Sequence, residues 1–310
     1  MKKLSIIVLS KNNGRTLGYT LLSIIRSKNP TGYGREIIVV DAKSSDITPK
    51  ILKRFKKWIK VIYDEGKGIG IARNIGVLTS SGDIICFVDA DAIVSHDHFI
   101  KIIKAFEKGN YDVLDVLGIP SEPVFKRWPI VAQLEYLVRL HGRAYKINGK
   151  RHFAAGCFVS FKKNVFYKVN GFWTYPPFGA DDIDFAYRVA KKGFKIGVVR
   201  IYGSYSLPRT NIIDMIKQQY SWGKGFAYFI SKFRHDPYIM KAYRFKPIIR
   251  NIVLYFVLRL MFAPLGSIRL FLSVKKLSII PYWIVRRLLF FLGFILSLRK
   301  ALGHYSSGKK

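Results

Sequence analysis

The sequence predicts an α/β fold, in which a mostly parallel sheet flanked by helices precedes interfacial and transmembrane helices. Three observations support this prediction. In residues 1–120, short runs rich in β-branched residues alternate with segments whose apolar residues recur at helical spacing. Polar residues follow directly after the apolar runs. The chain after Asp236 contains no acidic residue, although it contains many basic and apolar ones.

The alternating elements of the first part can be assigned in chain order. Strands are expected over 4–9, 36–40, 59–63 and 83–88, and helices over 17–25, 46–57 and 71–80. The run over 4–9 is almost entirely apolar, so this strand is expected to be buried on both faces. A strand–helix–strand order gives parallel strands, and ligands bind beyond the carboxyl ends of such strands. The polar clusters at these ends therefore mark the expected binding site.

Residues 121–232 depart from this order. Helices are expected over 122–146, 181–192 and 209–232, and a strand over 153–161. The helix over 122–146 mixes aromatic and basic side chains, which suits either an ordinary packed helix or one at a membrane surface. The helix over 209–232 is expected to lie at the bilayer surface. It would begin an interfacial region, 209–240, that follows a first domain over 1–208.

The composition excludes several classes of protein. Hydrophobic residues make up 50% of the 310 residues, which excludes a disordered chain. The net charge of +34 requires an anionic partner, namely nucleic acid, membrane headgroups or phosphorylated substrates. The basic residues stand beside apolar runs and form no recognisable nucleic-acid-binding motif, so we expect no nucleic-acid partner. Two cysteines, Cys86 and Cys157, cannot build a disulfide framework and favour a reducing compartment.

The C-terminal tail is expected to form a membrane domain of two or three helices over 241–310. Residues 201–310 hold 19 Lys and Arg but only two acids. Basic side chains reach anionic headgroups, whereas the same surface repels carboxylates. Candidate spans are 247–263, 264–274 and 278–298, each with an arginine that must face a polar partner. A purely interfacial hairpin is the alternative.

Both ends of the chain bear on its location. The apolar run after Lys3 is too short for the apolar region of a signal peptide. The basic C-terminus predicts a cytoplasmic end. We therefore expect an integral protein of the cell membrane whose first domain lies in the cytoplasm.

A carboxylate pair follows the strand over 83–88. Asp89 and Asp91, separated by Ala90, can hold Mn²⁺ or Mg²⁺ at a strand end, and the metal in turn binds a diphosphate. By itself an Asp-x-Asp sequence is weak evidence, because most instances are solvated turns. Its weight here comes from Asp41, which ends the second predicted strand.

Further polar residues belong to the same set of strand ends. Ser10 and Asn12 end the first strand. Lys67 lies in a glycine-rich turn, and Arg73 and Asn74 stand early in the helix after it, where backbone donors and the helix dipole favour phosphate.

The same turn allows a competing interpretation as a dinucleotide-binding loop. That motif requires Gly-x-Gly-x-x-Gly after the first strand of the unit. Gly66–Gly70 instead has Gly-x-Gly-x-Gly spacing and follows the third strand, which disfavours a dehydrogenase.

The order of these motifs resembles that of the inverting glycosyltransferases of family 2, which have a Rossmann-like GT-A fold, over roughly residues 3–222. The matching segments are Ser10–Asn13, Val39–Asp46, Gly68–Asn74 and Asp89–Asp91. The resemblance implies that Asp41 contacts the base or ribose of a nucleotide sugar, that Arg73 contacts its diphosphate and that Asp91 binds the metal directly. The remaining residues of the implied nucleotide site are Ser10, Asn12, Lys67, Asn74, Asp89 and Ala90.

The resemblance also implies an acceptor site. Gly156 and Cys157 match a small-residue turn beside the acceptor pocket, and Asp181 and Asp182 match an acidic pair at a helix start. Asp182 occupies the position of the general base, although an acidic helix N-terminus stabilised by the dipole is the structural alternative and both can hold. Trp222 is expected either to support an acceptor sugar or to pack at an interface.

One departure from the family pattern concerns the number of transfers. Ser221 stands where processive members carry Arg in a Gln-x-x-Arg-Trp motif. This departure favours a single transfer over polymer synthesis. His96 and His98 follow the carboxylate pair; we expect solvated residues at a helix start, with a third metal contact as the alternative.

The resemblance implies a metal-dependent, inverting transfer of a hexose, with mannose favoured, from a nucleotide sugar at the cytoplasmic membrane face. The implied acceptor is a polyprenyl-phosphate-type (dolichyl) lipid or a lipid-linked saccharide. The alternatives are a glucosyl- or N-acetylhexosaminyl-transferase that uses a UDP-sugar, a basic nucleic-acid-binding protein and a membrane scaffold without catalysis.

Overall fold

The computed structural model describes residues 2–142, 146–147, 150–151, 157–175, 179–237, 239 and 261–306. The chain forms two compact units. The sheet unit comprises Met1–Phe125, Arg151–Thr174 and Asp181–Leu207. The helical unit comprises Lys126–Lys150, Tyr175–Ala180 and Pro208–Lys310.

The elements are numbered in chain order. The strands are β1 (Lys2–Ser10), β2 (Tyr33–Asp41), β3 (Lys60–Tyr63), β4 (Ile84–Phe87), β5 (Ala92–Ile93), β6 (Val113–Ile119), β7 (Lys146–Ile147), β8 (Lys150–Arg151), β9 (Val159–Lys162), β10 (Ile196–Tyr202) and β11 (Tyr205–Ser206). The helices are α1 (Leu17–Arg26), α2 (Thr48–Phe55), α3 (Ile69–Thr79), α4 (His98–Gly109), α5 (Glu122–Lys126), α6 (Ile130–Gly142), α7 (Lys163–Lys168), α8 (Asp181–Lys191), α9 (Ile212–Lys232), α10 (Ala263–Val274) and α11 (Ile279–Ser306).

The sheet unit is built on a seven-stranded sheet with the order β10-β6-β9-β4-β1-β2-β3. Strand β9 runs antiparallel to both of its neighbours, β4 and β6. The other neighbouring strands are parallel. The prediction of a mostly parallel sheet flanked by helices is therefore confirmed.

The first strand lies inside the sheet and is buried on both faces, as its apolar sequence predicts. Leu4, Ile6 and Val8 join one apolar cluster, whereas Ile7 packs in another with Ile38 of β2. This division follows from the period of two in a strand, which sends successive side chains to opposite faces. Helices on both faces of the sheet thus bury their apolar sides against the same central strand.

Two predicted elements differ from the observed ones for identifiable reasons. The helix expected over 122–146 is broken, because Pro129 disfavours helical backbone at Trp128 and cannot donate a backbone hydrogen bond. The strand expected over 153–161 is observed only at Val159–Lys162, and residues 152–156 lie outside the described residues.

Helix α9 begins later than residue 209. It starts at Ile212 because the Asn211 side chain accepts a hydrogen bond from the backbone N–H of Asp214 at 2.7 Å, which caps the helix.

In the helical unit, α9 and α11 cross at two glycines. A Cβ atom on Gly223 would lie 2.0 Å from the carbonyl oxygen of Phe290. A Cβ atom on Gly293 would lie 2.1 Å from the carbonyl oxygen of Tyr220. Each glycine therefore admits the backbone of the opposite helix, a closeness that no larger residue allows.

Helix α6 is joined to α11 through a buried carboxylate, Glu135. Its carboxylate accepts hydrogen bonds from Nε of Arg286 at 3.0 Å and from the hydroxyl of Tyr282 at 2.8 Å. Arg139, one turn further along α6, donates to the same group at 2.9 Å. Arg286, one of the two arginines of the third candidate span, thus has a polar partner.

One helix of the described residues is long and apolar enough to cross a membrane, namely Ile279–Tyr305 within α11. It carries an exposed apolar stripe, Val285, Leu288, Leu292 and Leu296, at helical spacing. The candidate span over 264–274 corresponds to α10, whose 12 residues reach only about 18 Å and cannot span a membrane alone. Most of the candidate span over 247–263 lies outside the described residues.

Replacing Gly293 with Ala tests the crossing of α9 and α11. The new methyl group would overlap the backbone of Tyr220, so the two helices must separate. We expect a loss of about 1–3 kcal/mol in the free energy of unfolding, as for other overpacked sites. Thermal unfolding of the purified chain measures this loss.

Gly266→Ala in α10 is the matched control. Among the described residues its methyl group would meet only Nε1 of Trp283 at 3.5 Å, an ordinary contact, and Ala favours a helix over Gly by about 1 kcal/mol. A melting temperature of Gly293→Ala equal to that of Gly266→Ala would contradict the close crossing.

Candidate active site

The sheet register brings the predicted nucleotide-binding residues to one edge. Ser10 at the end of β1 lies opposite Asp41 at the end of β2, and Asp41 lies opposite Tyr63 at the end of β3. Ser10 and Asp41 are both buried. The hydroxyl of Ser10 makes no hydrogen bond with the described residues. This edge is where the architecture predicts ligand binding.

Asp41 and Asn12 hold the loop after β2 in a defined shape. The Asp41 carboxylate accepts hydrogen bonds from the backbone N–H of Ser44 at 3.0 Å and from its hydroxyl at 2.6 Å. Asn12 adopts a left-handed φ of 54°, and its side-chain oxygen accepts from the N–H of Ser45 at 2.8 Å. The backbone N–H of Asn12 in turn donates to the Ser44 hydroxyl at 2.8 Å. Both predicted residues therefore shape the loop at the site's rim.

The glycine-rich turn leads into α3 with the backbone that glycine permits. Gly66 and Gly68 have φ values of 69° and 130°. Gly70 is needed for a different reason, because a Cβ there would lie 2.6 Å from the carbonyl oxygen of Trp173. Lys67 is exposed on this turn, and its Nζ pairs with the Glu65 carboxylate at 2.5 Å.

Arg73 and Asp181 form a buried ion pair between α3 and α8. Their side chains are 12% and 5% exposed. The Arg73 guanidinium also lies over the rings of Phe172 at 5.3 Å and Phe87 at 5.8 Å. The residue predicted to contact diphosphate and one of the two predicted catalytic acids are thus bound to each other.

Asn74 binds backbone from the same position on α3. Its amide group donates to the carbonyl oxygen of Phe172 and accepts from the N–H of the same residue, each at 2.8 Å. This two-way bond fastens α3 to the segment after α7. In this structure the polar group of Asn74 stabilises the site's frame.

The carboxylate pair lies beyond β4, with its backbone held from three sides. The N–H of Asp89 donates to the carbonyl oxygen of Cys157 at 3.1 Å. The hydroxyl of Thr20 on α1 donates to the carbonyl oxygen of Ala90 at 2.9 Å. The N–H of Leu207 donates to the carbonyl oxygen of Asp91 at 2.6 Å. The loop is therefore rigid although the side chain of Asp89 is exposed.

The donor set fits a hard divalent cation. Asp89 and Asp91 supply carboxylate oxygens at an open strand end, which Mn²⁺ and Mg²⁺ accept while they keep positions for water and phosphate. Within the described ranges, no group of three or more His, Cys, Asp or Glu residues is arranged for a metal.

The expectation that His98 is solvated is wrong. The side chain is 1% exposed, packs against Phe158 and Phe99, and its Nδ1 lies 2.8 Å from the Ser204 hydroxyl. Burial lowers the pKa of His98 to about 3, because the imidazolium would lose its hydration. His98 is therefore a neutral core residue, and the apolar face of α4 accounts for its burial. His96 is exposed, and its Nδ1 contacts the carbonyl oxygen of Arg26 at 3.0 Å.

The start of α8 presents three acids in different surroundings. Asp181 is paired with Arg73, and the fully buried Asp184 with Arg188. Asp182 is only half-buried, and its Oδ1 accepts from the N–H of Ile183 at 2.8 Å. Asp182 is therefore the acid of this group that reaches the surface.

The predicted acceptor residues are distributed over both units. Cys157 is half-buried beside the carboxylate loop, and Gly156 lies outside the described residues. Trp222 belongs to the helical unit, where the guanidinium groups of Arg139 and Arg286 lie 5.1 and 5.8 Å from its ring centre. Sequence patterns did not indicate Thr20 and Ser204, because both act through contacts far along the chain.

The fold and the site together define a class of protein. A mostly parallel sheet with carboxylates beyond β2 and β4 is the frame of a glycosyltransferase with a GT-A fold. Residues 5–169 match the sequence profile described as Glycosyl transferase family 2, and the chain belongs to this family. Residues 139–217 also match a profile described as the N-terminal domain of galactosyltransferase.

Relatives of known sequence agree with this assignment. The putative glycosyltransferase EpsH of Bacillus subtilis is 31% identical over 101 residues, which are 32% of this chain and 29% of EpsH. The poly-β-1,6-N-acetyl-D-glucosamine synthase of Staphylococcus epidermidis is 25% identical over 230 residues, which are 72% of this chain and 54% of the synthase. The chain thus spans about half or less of these two relatives.

Solved structures show the same fold. The mannosyltransferase PcManGT from Pyrobaculum calidifontis, in complex with GDP-Man and Mn²⁺, superposes with a TM-score of 0.65 at 15% identity. The alignment covers 96% of this chain and 87% of that one. Glucosyl-3-phosphoglycerate synthase from Mycobacterium tuberculosis, in complex with Mn²⁺ and UDP, gives a TM-score of 0.51 at 16% identity over 74% of this chain and 79% of the other.

Proposed function

We propose that the protein is a metal-dependent, inverting hexosyltransferase that uses a nucleotide sugar at the cytoplasmic face of a membrane. The observation that carries this proposal is the rigid Asp89–Asp91 loop at the strand edge that also holds Ser10 and Asp41. A hexose, with mannose favoured, would pass to a polyprenyl-phosphate-type lipid or a lipid-linked saccharide. The choice of mannose as the sugar and of GDP as the nucleotide is supported by the similarity to PcManGT, whose complex contains GDP-Man and Mn²⁺.

A UDP-linked donor is the second candidate. The M. tuberculosis neighbour binds UDP, and the S. epidermidis relative is named for N-acetylglucosamine polymer synthesis. A glucosyl- or N-acetylhexosaminyl-transferase therefore has comparative support too.

Different residues of the chain would have different roles in the reaction. Asp89 and Asp91 would hold Mn²⁺ or Mg²⁺, which supplies neutralisation of the leaving diphosphate when bound. Asp41 and Asn12 keep the loop beyond β2 in place for the nucleoside. Asp182 would take the proton from an acceptor hydroxyl as that hydroxyl attacks the anomeric carbon, and a single displacement inverts the configuration.

Asp91→Ala tests the metal site. We expect Mn²⁺-dependent binding of the donor to disappear and transfer to fall by about 100-fold or more, since the charge of the leaving group is no longer balanced. Titration of the donor with and without Mn²⁺ measures the effect. Asp97→Asn, which alters an exposed carboxylate paired with Lys101, should leave both properties unchanged. Undiminished donor binding by the unaltered chain in excess EDTA would contradict the metal site.

Asp182→Asn distinguishes the two kinds of acceptor. A sugar hydroxyl needs a base, so its glycosylation should fall by about 10²–10⁴-fold. A phosphate monoester has a second pKa of about 6 and is already ionised at neutral pH, so transfer to a lipid phosphate should persist. Parallel assays with both acceptors and one enzyme preparation provide the internal control. Full activity of Asp182→Asn on a saccharide acceptor would remove the base assignment.

Membrane attachment is proposed from α11. Its 27-residue apolar segment is long enough to cross a bilayer, and the stripe from Val285 to Leu296 is exposed to the surroundings. We expect the full chain to stay with the membrane fraction in high salt and alkaline carbonate, and to dissolve only in detergent. Release by salt alone would show that no helix spans the bilayer.

A further inference from the structure

The end of β3 carries a buried carboxylate, Asp64, that the reaction described above does not use. Its side chain is among the buried ones, with 4% of the residue exposed. Oδ1 accepts a hydrogen bond from the backbone N–H of Gly66. Oδ2 accepts none from the part of the chain that the structure describes. A buried acceptor without a donor is costly, so it marks a place where a bound ligand can supply the donor.

Asp64 lies beside the nucleotide-binding strand ends. Its backbone N–H donates to the carbonyl oxygen of Asp41 at 3.0 Å, and Asp41 is in register with Ser10. The Ser10 hydroxyl is the other buried polar atom at this edge that lacks a partner among the described residues. Two unused hydrogen-bonding groups thus occur at the ends of β1 and β3.

A cation lies close to the turn that follows this carboxylate. Nζ of Lys11 would be 3.6 Å from a Cβ on Gly66, the residue whose N–H binds Asp64. The Lys11 side chain is exposed, so it can adjust to a ligand more readily than a packed side chain. The end of β3 therefore offers an acceptor from Asp64, and Lys11 brings a donor to the turn that follows it.

This pair matches one nucleobase edge better than the others. Guanine presents an acceptor at O6 beside donors at N1 and the 2-amino group. Uracil also presents a donor at N3 beside an acceptor at O4, but its O2 stands where guanine has the 2-amino group, and a carboxylate repels that oxygen. Adenine has no ring N–H on this edge, so N1 would face a carboxylate without a proton between them. A carboxylate near a lysine thus selects against adenine, and it favours guanine over uracil because only guanine places a second donor opposite the carboxylate.

We propose that Asp64 is a base-specificity residue that accepts hydrogen bonds from N1 and the 2-amino group of a guanine nucleotide, with Lys11 directed to O6. The inference rests on the proposed use of a nucleotide sugar and narrows that donor to a guanosine diphosphate sugar. Asp41 does not duplicate this role, because its carboxylate oxygens already accept from Ser44.

The unaltered protein provides the first test. Full-length protein in detergent with Mn²⁺ is titrated with GDP, UDP, ADP and IDP, the last of which lacks only the 2-amino group. We expect GDP to bind at least about tenfold more tightly than UDP and ADP, with IDP intermediate, since a site built for a donor rejects ligands that lack it. Equal affinities for GDP and UDP, or for GDP and IDP, would overturn the proposal. This titration uses the unaltered protein, so its result does not depend on whether a variant folds.

Asp64→Asn provides the second test. Asn keeps an oxygen for the N–H of Gly66 but places an amino group opposite N1 of guanine. We expect the affinity for GDP to fall by at least about tenfold, while that for UDP stays within about twofold. Glu65→Gln is the matched control, because Glu65 is the adjacent carboxylate, is largely exposed and pairs with Lys67. Equal losses for GDP and UDP in Asp64→Asn would indicate a contact with ribose or diphosphate and overturn the proposal.

The outcomes separate this inference from the function on which it rests. Sugar transfer from a UDP-sugar, together with equal affinities of the unaltered protein for GDP and UDP, would refute the base assignment and leave the glycosyltransferase intact. Selective binding of GDP without transfer of sugar from any donor would refute the proposed function and retain the base assignment.

Discussion

The parallel pairing of β1 with β2 and β4 is the constraint on which the rest of the site depends. Because β1 lies between these strands, its register decides which residues reach the common carboxyl edge. A shift of β1 by one residue would turn Ser10 to the opposite face of the sheet, take it out of line with Asp41 and exchange the side chains that enter the two apolar clusters, which Ile6 and Ile7 occupy. The hydrophobic burial of β1 therefore also positions the polar chemistry at its end.

The second layer of organisation is electrostatic. The Arg73–Asp181 pair connects the starts of α3 and α8, and both side chains are nearly enclosed. Removing one partner of a buried ion pair costs about 3–5 kcal/mol, because the other charge is left without compensation. The pair also reduces the net positive charge that Arg73 can present to a diphosphate, since Asp181 already balances the charge of Arg73 before a diphosphate binds. Asp182, the next residue in the chain, lies at the same helix start that this pair holds in place, and it stays half-exposed.

The parts of the fold that sequence could predict are those that depend on one element alone. The sequence predicts the alternation of strands and helices, the turn at Gly66–Gly70 and the Asp89–Asp91 pair, because each of these features depends on a few neighbouring residues. Contacts between residues that lie far apart in the sequence could not be predicted in this way. The hydroxyl of Thr20 that binds Ala90 and the burial of His98 against Phe158 depend on how α1, α4 and β9 pack around the sheet. The helix break at Pro129 is an intermediate case. The local effect of proline on the helix explains the break, but the helical spacing of the apolar residues predicted a continuous helix.

The tail illustrates the same limit and resolves a difficulty that the sequence raises. No acid follows Asp236, so Arg286 within an apolar run has no counter-charge nearby in the chain. Its partner is Glu135 on α6, and the distance in sequence explains why no local pattern indicated it. Burial alone would raise the pKa of Glu135, but Arg286 and Arg139 outweigh that effect and lower it to about 2. The carboxylate therefore stays ionised at all physiological pH values, and Arg286 keeps a permanent partner. An arginine so compensated can sit in an apolar helix, and the exposed stripe of α11 from Val285 to Leu296 carries no charge.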